Sequence, residues 1–72
     1  MPTETQTTEE IAQHYSAALD SVNLINEIVA SGDTDAESVD NIARNKEHLE
    51  IMVAKDFWTT EDLTPLTSAI NA

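Results

Sequence analysis

The chain has 72 residues, three basic and fourteen acidic side chains, a formal charge of −11 and no cysteine. That length bounds it to one small domain. The missing cysteine removes disulfides, thiolate redox chemistry and cysteine-held metals, and three cations are few for neutralising a phosphate backbone, which argues against direct binding to DNA or RNA.

No apolar run approaches the roughly 20 residues of a membrane span. The opening MPTETQTTEE lacks the basic-then-apolar layout of a signal peptide, so a cytoplasmic or virion location is expected. One glycine and two prolines argue against a loop-rich chain, and few aromatics beside abundant Ala, Ile, Leu and Glu argue for an all-α fold.

Residues 1–7 are polar and aperiodic and read as a flexible arm. Thr7 and Glu10 then stand at capping-box spacing ahead of an apolar-periodic stretch. Glu9 and Glu10 fall in the first turn, where the helix dipole favours negative charge.

The periodicity predicts a first helix over about 8–31. Ile11, Tyr15, Ala18, Val22, Ile25 and Val29 alternate steps of four and three, an unbroken heptad stripe. Ala12 and Leu19 widen it on one side, Leu24 and Ile28 on the other. So broad a face calls for two neighbours. Gly32 is the expected left-handed terminator.

A second helix is predicted over about 35–55, capped by Thr34 with Glu37 or by Asp35. Its core side is Val39, Ile42, Leu49, Met52 and Val53, with Ala43 beside them and Lys46 interrupting the seam. The short connection makes the two helices antiparallel neighbours. Phe57 and Trp58 are placed to plug the next corner, and Thr59 or Thr60 opens a turn. A Thr64 cap with Pro65 as first helical residue starts a short helix over about 64–71. Leu63, Leu66 and Ile70 share one of its faces.

The expected architecture is therefore a helical hairpin with a short C-terminal helix, residues 8–72 forming one domain. A chain this short buries only about 60% of its extended surface. The breadth of the first helix then implies that another chain covers part of it, as in a homo-oligomer.

Chemistry finds little purchase. His14 and His48 lie on different helices with no second histidine one turn away, and read as solvated surface groups. The run from Asp33 begins like a calcium loop, but Ser38 and Arg44 occupy the places where Gly and Glu are required. Ser16 lies near His14 in sequence but on another helix face, and no glycine-rich phosphate loop exists. No catalytic residue, metal or cofactor is expected, and the chain reads as a non-enzyme.

Charge is distributed unevenly. Residues 1–43 hold nine acidic side chains and no basic one, and Arg44, Lys46 and Lys55 all fall on the second helix. Asp33, Asp35, Glu37 and Asp40 form an acidic face, either a solubilising coat or a surface for a basic partner. Of the neighbours Phe57 and Trp58, about 100° apart on a helix end, one can be buried while the other faces outward as an interface anchor.

The stretch Asn45 to Ile70, above all HLEIMVAKDFWTTEDLTPL, resembles a segment of short acidic helical proteins encoded by tailed phages and prophages. The resemblance covers about a third of the chain. It implies a virion or assembly component and no catalytic residue or cofactor.

Two functions follow. The first is a protein–protein interaction module that self-associates, a minor structural or accessory phage protein. Its interface would be Ile11, Tyr15, Val22, Leu24, Ile25, Ile28, Val29 and Trp58. The second is a small acidic inhibitor, mimicking DNA, that docks Asp33, Asp35, Glu37 and Asp40 on a basic host protein. The partner is the chain itself, another protein, or both, with no direct nucleic acid or membrane contact.

Overall fold

A computed structural model describes residues 6–72. The chain folds into three helices, α1 (Thr8–Ser31), α2 (Ala36–Val53) and α3 (Thr64–Ile70). The expected arm at residues 1–7 lies outside the described residues except for Gln6 and Thr7. Thr7 is the N-cap of α1: its hydroxyl accepts from the Glu10 amide at 3.1 Å, and the Glu10 carboxylate accepts from the Thr7 amide at 3.1 Å. These reciprocal bonds satisfy two amides that a helix start leaves without partners.

At the other end of α1, Gly32 takes φ 71° and closes the helix with its amide donating to the Val29 carbonyl. A side chain here would crowd the following carbonyl, which is why glycine serves. Of the two candidate caps for α2, Asp35 is the one used, its carboxylate accepting from the Ser38 amide at 2.7 Å.

The third helix starts differently from expectation. Thr64 is already helical and contributes no side-chain cap; Leu63 is the cap residue, and the Asp62 carboxylate accepts from the Thr64 amide at 3.0 Å. Pro65 still stands in the first turn, where its missing amide costs nothing.

Both core clusters lie towards one end of the hairpin. The larger joins Ala18, Val22 and Ile25 of α1, Leu49 of α2 and Leu66 and Ala69 of α3, with Tyr15, Leu19, Val53, Leu63 and Ile70 packed against it. The smaller joins Ile11, Met52 and Phe57, with Trp58 against them. The three members of the larger cluster on α1, Ala18, Val22 and Ile25, follow steps of four and three residues, so one stripe of that helix faces the shared core. Ala69 lets α3 approach closely, and its small size hid it from a search for large apolar residues. The described residues measure 42 × 17 × 16 Å along their principal axes.

Candidate interaction surface

The structure redistributes the residues expected at an interface. Ile11, Val22 and Ile25 are buried within the single chain. They are not a surface, because α2 and α3 together supply the two neighbours that the broad face of α1 demands.

Tyr15 and Trp58 are half-buried and form a clasp. The Tyr15 hydroxyl donates to the Asp62 carbonyl at 2.6 Å, and the Trp58 indole Nε1 donates to the Met52 carbonyl at 2.7 Å. Their rings meet edge to face with centroids 6.1 Å apart, and Phe57 lies 4.7 Å from Trp58. So Phe57 is the buried member of the pair. Trp58, with its one polar atom satisfied inside the chain, braces the corner between α2 and α3 rather than standing out as an anchor. His14, expected to be solvated, is half-buried and stacks on Phe57 with centroids 5.1 Å apart. His48 is exposed.

The remaining three interface candidates behave otherwise. Leu24 is 38% exposed and Val29 51% exposed, while Ile28 is half-buried. Val29 stands seven residues after Val22 and four after Ile25, on the stripe that is buried lower down. Its exposure therefore comes from the lack of a neighbour, not from pointing away.

The second helix repeats the pattern. Val39, Lys46 and Val53 recur every seven residues. Val53 packs against the cluster that includes Leu66 and Ala69, and the Lys46 ammonium donates to the Ala72 carbonyl just past the end of α3. Val39, one heptad further, is 55% exposed. Sequence reasoning placed Val39 in the core; the stripe is right, but α3 stops short of it.

Among the described residues, no member of either core cluster falls between residues 26 and 48. The hairpin is thus a three-helix trunk continued by a two-helix tip. The tip carries Ile28 and Ile42 half-buried, with Val29 and Val39 exposed. Ile51, at 53% exposure, sits alone on the outer side of α2 among charged neighbours and needs no partner.

The acidic face occupies the same end. Asp33, Asp35, Glu37 and Asp40 are all exposed. Two of them have work within the chain. Hydrogen bonds from Ser38, the backbone amide foremost, hold the Asp35 carboxyl below its ordinary value of 3.8. Asp40 pairs with Arg44 one turn on, at 2.9 Å, an exposed i,i+4 pair of small energetic weight. Asp33 and Glu37 add charge without a cation across from them on this segment.

No three His, Asp or Glu side chains among the described residues converge as a metal site would need, and no helix is long and apolar enough to cross a membrane. No family model matches the chain, and comparisons with curated proteins and with solved structures give no match.

Proposed function

We propose that this chain is a non-enzymatic helical interaction module that meets a partner protein with the tip of its hairpin. One observation carries the reading: Val29 and Val39 lie on stripes that are core elsewhere, yet stand outside both core clusters and open to solvent. In the trunk the core stripes and the Tyr and Trp donors are satisfied internally, with Leu24 and Ile51 exposed off those stripes, so the tip is where a core stripe is left with something to bind. The resemblance of residues 45–70 to acidic phage proteins supports an accessory or structural role within an assembly.

Self-association is a second reading, favoured by the exposure of Leu24 and Val29 on one helix. A charge of −11 on each copy opposes it. Inhibition by DNA mimicry draws on the same acidic end, but two of its four carboxylates are committed to Ser38 and Arg44.

The test is site-specific photo-crosslinking in the native host. A crosslinker at Val39 should yield a discrete protein adduct, and one at Ala12, exposed on the trunk, should not. An adduct of twice the chain's mass would assign the tip to self-association. Equal yields at both positions, or none at Val39, would remove the tip as an interaction surface.

A further inference from the structure

We draw no further inference here: the strongest candidate, the exposed surface patch of Val29 on α1 and Val39 on α2 at the tip of the hairpin, belongs to the surface already described, and nothing in the structure shows what covers it.

Discussion

Ile25 and Val29 sit one turn apart on the same stripe of α1, yet Ile25 is fully buried and Val29 is 51% exposed. Truncating each to alanine measures what that difference is worth. Ile25→Ala removes a side chain enclosed by Ala18, Val22, Leu49, Leu66 and Ala69, a change that costs about 2–5 kcal/mol in a packed core. Val29→Ala forfeits at most about 1 kcal/mol of partial burial, and the better helix propensity of alanine offsets about 0.5 kcal/mol of that.

A domain of 72 residues has a total stability of about 4–11 kcal/mol, so the first change is a large part of the whole. In urea, with a slope near about 1 kcal/mol per M for a chain this small, Ile25→Ala should lower the midpoint by at least about 2 M. Val29→Ala should move it by less than about 1 M. The assay is urea unfolding followed by far-ultraviolet circular dichroism, run at low and high protein concentration. Should the alanine variant be unfolded from the start, Ile25→Val, worth about 0.5–1.5 kcal/mol, keeps the comparison readable. Equal midpoint shifts for the two positions would refute the reasoning. So would an Ile25 effect that changes with concentration, since it would place the stripe between chains instead of within one.

Three further outcomes follow from the same structure. Gly32→Ala should cost about 1 kcal/mol through the left-handed backbone alone, because beyond its two chain neighbours a Cβ there meets nothing within 4 Å; Gly32→Asn should cost less, and a neutral alanine would mean the residue leaves that conformation. Tyr15→Phe removes the bond to the Asp62 carbonyl and should cost about 0.5–1.5 kcal/mol. Amide exchange should then quicken in α3 and not in the last turns of α1; unchanged α3 exchange would deny the clasp its role. Hydrogen bonds from the Thr7 and Ser38 amides hold the Glu10 and Asp35 carboxyls below their ordinary 4.5 and 3.8. Their folded values lie under the unfolded ones, so the caps contribute fully above the ordinary carboxylate range and are lost as pH falls through the lowered values. Carboxyl NMR should find both groups titrating below 4.5 and 3.8 respectively, and Asp35→Ala should lower the urea midpoint while Thr34→Ala does not.

The ends of the helices were legible because their signals are local. Thr7 with Glu10, Gly32, Asp35 and Pro65 each act within four residues, and each sits at or next to the boundary it marks. Which residues share a face was legible for the same reason, since it needs only the helical period. Depth was not. Val22 and Val29 are the same residue on the same stripe, and nothing nearby distinguishes them. Their difference depends on where α3 lies, and its contacts are distant in sequence: Leu66 and Ala69 pack into the cluster with Val22, Ile25 and Leu49, while Tyr15 bonds to Asp62 and Lys46 to Ala72, spanning 47 and 26 residues. The reading that α1 exposes more apolar surface than its chain can cover was therefore misplaced in extent. It fails for Ile11, Val22 and Ile25 and describes only the last two turns. Trp58 was ambiguous in the sequence because its neighbour Phe57 could have taken either role, and the Met52 carbonyl decides between them.

The stop of α3 opposite Lys46 gives the molecule two grades of stiffness. Below that level, parting the helices means pulling Leu49 and Leu66 out of a closed interior. Above it, the pair is held by a four-residue bend and two half-covered isoleucines, so brief separations there cost less free energy than global unfolding. Whatever grips this outer segment can reshape it without disturbing the base, and the base in turn keeps the gripped end from drifting out of register.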